Sequence, residues 1–131
     1  MGKIRVLLAD DHEAILERVR VLLGADFDIV GAVSNERDAV AESRRLDPDV
    51  LVIDVSMPVL DGLQAVQRLR TTNHRTKVVF LTVNEDHDFV VAAFAAGASA
   101  YVTKSDVITD LIPAIREAVQ GGTYVSKSIS P

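Results

Sequence analysis

Val50-Leu51-Val52-Ile53-Asp54-Val55-Ser56-Met57-Pro58 is the stretch that decides how this chain is read. Val50 to Ile53 are four consecutive aliphatic residues, the pattern of a strand buried on both faces. Asp54 arrives where that strand runs out, and Pro58 stops further pairing. In open α/β sheets, ligands and chemistry gather at the carboxyl ends of the strands. An acid at that place sits at the mouth of a site and not simply on a solvated surface.

Other strands deliver chemistry to the same edge. Ile4–Ala9 reads as a strand and ends in the pair Asp10-Asp11, Val78–Leu81 ends in Thr82, and Ala100–Thr103 ends in Lys104. Taken singly, each polar residue has a local explanation: a helix cap, a loop hydroxyl, a solvated charge. Their joint occurrence at four strand ends argues for a convergent site.

The length of 131 residues supports one domain with a real core and is too short for two. A net charge of −5 with no run of lysine or arginine argues against nucleic-acid binding by this segment. No apolar stretch approaches membrane-spanning length, and Met1-Gly2-Lys3 leads straight into a strand without the regions of a signal peptide. Gly2 lacks the Ser or Thr that myristoylation needs, since Val6 stands there. The absence of cysteine removes disulfides and thiolate metal sites and fits a cytoplasmic protein.

Helices alternate with the strands. Glu13–Leu23 places Ile15, Val19, Leu22 and Leu23 at helical spacing before Gly24, and Phe27–Val33 reads as a strand. Ser34 or Asn35 can cap a helix over Glu36–Leu46, which Asp47-Pro48 breaks. A third helix is expected to open at Asp61-Gly62, with Asp61 as its cap and Leu63, Val66 and Leu69 inward. A fourth spans Asp86–Ala96 before Gly97, and a fifth carries Leu111, Ile112, Ile115 and Val119 before Gly121-Gly122. Pro113 fits this last helix if Thr109 caps it or if the helix bends. Five strand–helix units imply parallel strands, right-handed crossovers and helices on both faces: an α/β, doubly wound, flavodoxin-like (βα)5 fold with a five-stranded sheet in the order 2-1-3-4-5.

Crowded carboxylates limit the chemistry. Two unit charges 4 Å apart repel by ~4 kcal/mol at an effective dielectric of 20. Three at one sheet edge need a cation, a raised pKa, or both. Oxygen ligands suit a hard ion such as Mg²⁺, which would let a phosphorylated donor approach a carboxylate nucleophile. Lys104 can balance one carboxylate at rest and a phosphoryl oxygen afterwards, and Thr82 can donate its hydroxyl to another. The expected chemistry is phosphoryl transfer onto Asp54, driven by positioning and electrostatics.

Asp10-Asp11, the run Asp54-Val55-Ser56-Met57-Pro58-Val59-Leu60-Asp61-Gly62, Thr82, and Gly97-Ala98-Ser99-Ala100-Tyr101-Val102-Thr103-Lys104 together resemble the receiver domain of two-component response regulators over about Ile4 to Gln120. The resemblance implies that Asp54 accepts the phosphoryl group from a phosphohistidine on a sensor kinase. It implies that Asp11, Asp54 and the Ser56 carbonyl hold Mg²⁺, that Asp10 helps through a water, and that Thr82 and Tyr101 form the switch. Self-phosphorylation and self-dephosphorylation would be the only reactions, with Ser56 and Asn84 flanking the path of attacking water.

Asp10-Asp11-His12, the Gly97–Tyr101 run and Gly121-Gly122-Thr123-Tyr124-Val125-Ser126 are similar to the LuxR/NarL-type branch of transcription regulators. Residues 1–121 are then the receiver, and 122–131 the start of a linker to a C-terminal helix-turn-helix output domain through which DNA would be bound; a stand-alone receiver is the alternative. Ser105 follows Lys104 where many receivers have Pro, a departure common in this branch. A haloacid dehalogenase-type phosphatase would need a second Asp at Ser56. A flavodoxin-like cofactor module would need a phosphate loop where Asp10-Asp11-His12-Glu13 stands, and a pseudo-receiver would have lost a site residue. His12, His74 and His87 are read as loop or helix-end residues. A partner surface for the output domain or a phosphorylation-dependent homodimer is expected on the fourth helix, fifth strand and fifth helix, with Ala92 and Ala95 outward, flanked by Phe89, Val91 and Ala96; the resemblance implies helices one and five as the other surface.

Overall fold

Two hydrophobic layers follow from the pleat of one sheet. The computed structural model describes residues 2–54, 59–72, 75–83, 85–126 and 129, the side chains of 59–62 and 72 excepted. The elements run β1 (Ile4–Ala9), α1 (Glu13–Leu23), β2 (Phe27–Val33), α2 (Glu36–Leu46), β3 (Val50–Asp54), α3 (Val59–Thr72), β4 (Lys77–Thr82), α4 (His87–Ala96), β5 (Ala100–Thr103), a 3₁₀ turn (Lys104–Asp106), α5 (Val107–Val119) and β6 (Tyr124–Val125). The strands are parallel in the order β2-β1-β3-β4-β5-β6.

Alternate strand residues separate cleanly between the layers. Leu7, Leu51, Ile53, Phe80 and Tyr101 pack with Val40 of α2, Val66 and Leu69 of α3, and Val90 of α4. Val6, Leu8, Val52, Leu81 and Val102 pack instead with Val19 and Leu23 of α1 and Leu111 and Ile115 of α5. Burying each such side chain contributes about 1.5–3 kcal/mol relative to exposure. Both faces of β3 are therefore covered, which is why Val50–Ile53 is apolar without alternation.

Local signals act as their chemistry requires. Asn35 caps α2 by accepting the Asp38 N–H at 2.8 Å, so Asn35 and not Ser34 fills that role. Asp47 ends the same helix in the left-handed region at φ 48°, just before Pro48. Asp86 caps α4 by accepting the Asp88 N–H at 2.9 Å.

Four expectations are corrected. Helix α3 begins at Val59, so Asp61 lies inside its first turn and is not its cap. Helix α5 begins at Val107, so Thr109 is not its cap either; the Thr109 hydroxyl lies 3.1 Å from Asp110 Oδ1 and 3.3 Å from Asp106 O. Pro113 stands in the interior of α5 on its exposed side, where its ring removes the N–H that would have met the Thr109 carbonyl. On α4, Phe89, Phe94 and Ala96 pack against the core and Ala92 is half-buried, which leaves Val91 and Ala95 as the apolar residues facing outward.

The fourth correction is a sixth strand. Tyr124–Val125, expected within a linker, pairs with β5: Tyr124 N–H donates to Ser99 O at 3.2 Å and Ser126 N–H to Tyr101 O at 3.0 Å. The ladder then changes acceptor type, because the Thr103 N–H donates to the Ser126 hydroxyl at 3.0 Å. Leaving a buried amide of that kind unpaired costs about 1–3 kcal/mol. Ile129 is buried in the same cluster as Phe80, Val90 and Tyr101. Two residues are too weak a β signal to be read from sequence; the edge of β5 supplies what the local pattern does not.

Gly97 is demanded both by its backbone angle and by the space around it. It closes α4 at φ 116°, and a Cβ there would lie 3.0 Å from Arg70 Cγ and Cδ. Arg70 is held in turn by donating to the Thr76 carbonyl. Gly97→Ala should destabilise the protein by about 1–3 kcal/mol, seen as a lower urea midpoint with an unchanged m-value.

Candidate functional site

The carboxyl edge of the sheet gathers residues from β1, β3, β4 and β5. Asp10 follows β1, held by its N–H donating to Val33 O at 3.0 Å. Asp54 is the last residue of β3 and pairs with Leu81 of β4. Thr82 ends β4 opposite Thr103 of β5, and Lys104 opens the turn that follows. Asp10, Asp54 and Thr82 are buried, at 3%, 1% and 0% exposure.

One ammonium serves both buried acids. Lys104 Nζ lies 3.1 Å from Asp54 Oδ1 and 3.5 Å from Asp10 Oδ2. Its turn is fastened by the Thr103 hydroxyl, 3.0 Å from Asp106 Oδ2 and 3.2 Å from Ser105 Oγ. Among the described residues every peptide bond is trans, Lys104–Ser105 included.

His12, read as a loop or helix-end residue, does stand at a helix end, and it also enters this cluster, a contact that reading did not anticipate. It stands at the N-cap of α1, where its N–H donates to Asp10 Oδ1 at 2.8 Å. Its ring Nδ1 lies 2.9 Å from Asp11 Oδ1, 3.1 Å from Asp10 Oδ1 and 3.7 Å from Asp54 Oδ2. Ionised carboxylate oxygens only accept, so these contacts suit the tautomer with its hydrogen on Nδ1. The adjacency of His12 to the acid pair was the available signal.

Burial pushes the Asp10 carboxyl above the usual aspartate range; the His12 N–H pulls it down, nearby Asp54 adds to the rise, and Lys104 and the His12 ring oppose it. Burial likewise raises the Tyr101 phenol, a side-chain hydrogen bond with Thr82 offsets part of that rise, and the charge of Asp86 adds to it. Tyr101 is thus inside the structure and joined to the hydroxyl at the end of β4.

The donors fit a cation. One atom each from Asp10, Asp11, His12 and Asp54 lie within 4.8 Å of one another. Asp10 Oδ2 is buried with no hydrogen-bond partner among the described residues. Carboxylates dominate the set, as a hard divalent ion prefers. Ser56 and Asn84 lie outside the described residues.

A parallel sheet in this order, with three carboxylates, a hydroxyl and a lysine at its carboxyl edge, is that of a receiver. The chain matches the response regulator receiver domain over residues 6–116 and belongs to that family. It is 35% identical over 130 residues to the response regulator GacA of Pseudomonas viridiflava, covering 97% of this chain and 60% of that protein. It is 30% identical to the nitrate/nitrite response regulator NarL of Escherichia coli K12 over 128 residues, 96% of this chain and 59% of that one. A LuxR-family two-component response regulator from Aurantimonas sp. superposes with a TM-score of 0.90 at 29% identity, covering 98% of this chain and 93% of that structure. The chain is thus a receiver of the LuxR/NarL-type branch, and it spans about three fifths of the length of the curated relatives it matches.

Asp10 has a testable consequence for stability. Because folding raises its pKa, its favourable contribution is present below the ordinary aspartate range and is lost as pH rises through the folded value. Asp10→Asn should therefore stabilise the metal-free protein at neutral pH, an advantage that fades under acid. Thermal unfolding with chelator, followed from neutral to acidic pH, checks both parts.

Proposed function

We propose that this chain is the phospho-accepting switch of a two-component system, taking a phosphoryl group from a sensor histidine kinase onto Asp54. The observation that carries this reading is Lys104 held between Asp54 and Asp10, with Asp11 converging on the same point. Asp10, Asp11 and Asp54 would hold Mg²⁺, with the Ser56 carbonyl completing the set. When bound, the ion supplies charge neutralisation that lets an anionic donor approach. An Asp54 oxygen attacks the phosphorus in line as the phosphorus–nitrogen bond to the kinase histidine breaks, and the freed imidazole leaves with a proton on that nitrogen; the burial of Asp54 limits its orientations. Lys104 turns from the carboxylate toward a phosphoryl oxygen, and Thr82 donates its hydroxyl to another. That donation competes with the Thr82–Tyr101 hydrogen bond, so Tyr101 and α4 respond. Self-phosphorylation and self-dephosphorylation are the only reactions expected. No described helix is long and apolar enough to cross a membrane; a cytoplasmic setting is the one this chemistry suits.

Acetyl phosphate tests the assignment directly. With Mg²⁺ or Mn²⁺, intact-mass spectrometry should show one added phosphoryl group; chelator and Asp54→Ala should each abolish it. Equal labelling of the Asp54→Ala protein would overturn the acceptor.

The output belongs to the rest of the protein. We assign it to a C-terminal helix-turn-helix domain that binds DNA, on the strength of the branch and of the length the relatives have beyond this match; a receiver acting alone through protein contacts is the alternative. A homodimer formed on phosphorylation is best supported at α1 and α5. There Val21 and Ile108 are 76% and 66% exposed beside Leu22 and Val107, a broader apolar face than the Val91–Ala95 strip of α4. Ile108→Glu should weaken dimers of the phosphorylated protein about tenfold or more in sedimentation equilibrium, with phosphoryl uptake intact.

A further inference from the structure

We infer that Ser126 is a positioning residue for Lys104, so that the arm after α5 completes the site instead of merely leaving the domain; this rests on the reading of Asp54 as phosphoryl acceptor. Lys104 must be accurately placed, since its ammonium reaches two buried carboxylates at 3.1 and 3.5 Å from one short side of the cluster. Its placement is set by the backbone on either side. C-terminally, the Thr103 hydroxyl ties the turn to Asp106. N-terminally, Thr103 has its own N–H fixed by the Ser126 hydroxyl, in a pair where each residue is 1% exposed. Thr103 is joined to Lys104 by a single peptide bond, so a shift of one carries the other.

The arm is itself anchored, which lets it act as a reference. Ser126 donates its own N–H to Tyr101 O, and Tyr124 is bound both to Ser99 O through its N–H and to the buried Asp110 of α5 through its phenol. Ile129 is buried in the cluster that holds Tyr101 and Phe80. Main chain, phenol and aliphatic side chain thus fix the arm on three sides, and the Ser126 hydroxyl is the group it turns toward the base of Lys104.

Ser126→Ala removes that hydroxyl and Ser126→Thr keeps it. With acetyl phosphate and Mg²⁺, Ser126→Ala should be phosphorylated about tenfold more slowly, while calorimetric Mg²⁺ affinity stays within about twofold, because the lysine is no metal ligand. Ser126→Thr should restore the rate. In a Lys104→Gln background, Ser126→Ala should cause no further loss, which a general loosening of the fold would cause. A wild-type rate for Ser126→Ala, or equal losses in both backgrounds, would overturn the inference while leaving Asp54 as acceptor. No uptake by wild type would overturn that acceptor and the inference with it. Hydrogen exchange of the Thr103 amide in the unaltered protein is a second measurement should Ser126→Ala not fold: slow exchange is expected, and exchange as fast as an exposed amide overturns the bond.

Discussion

Asp10 and Asp54 are shut away from water almost completely, and they share a single ammonium. Much of the remaining architecture serves that arrangement. Buried charges are costly unless paired and hydrogen-bonded, and removing one partner of a buried pair typically destabilises by about 3–5 kcal/mol. Lys104 supplies one positive charge against three neighbouring carboxylates, and the His12 N–H and ring supply donors to Asp10. The compensation is partial, as the raised carboxyl of Asp10 records, together with its Oδ2, which meets Lys104 only at 3.5 Å and has no hydrogen bond among the described residues. A site left short of positive charge is one that a divalent ion, and then an anion, can enter.

Holding such a site requires stiff strands, and the sheet provides them. Each acidic or hydroxylic residue sits at, or one or two steps beyond, the end of a strand whose interior is buried on both faces. The short β6 extends this logic to the edge, where β5 would otherwise present unpaired main-chain groups beside Lys104. Ser126 ends the ladder with a side chain because there the chain leaves the strand direction, yet one more acceptor is needed.

The strand–helix alternation and the site were largely legible from the residues. Val50–Ile53 is a strand because only a doubly covered strand tolerates four aliphatic residues followed by an acid, and the acids, Thr82 and Lys104 stand at the strand ends where the pattern put them. What escaped was settled by tertiary contact. Helix α3 starts two residues before Asp61 although a good cap residue stands there. Pro113 is accommodated within α5 because buried Leu111, Ala114 and Ile115 anchor that helix on both sides of the ring. Tyr124–Val125 becomes a strand only because β5 offers an edge. His12 joins the acids because the turn after β1 curls back over its own carboxylates, a path that no spacing rule gives.

The pleat that divides the core in two also divides the site. Thr82 shares its parity with Phe80 and its hydroxyl meets Tyr101, in the layer of α2, α3 and α4. Lys104 shares its parity with Val102, in the layer of α1 and α5, and lies beside Ile15, Val19 and Val107. A group seated on Asp54 therefore stands where both layers reach the site. A change in one layer thus has its route to the site through Thr82, and a change in the other has its route through Lys104.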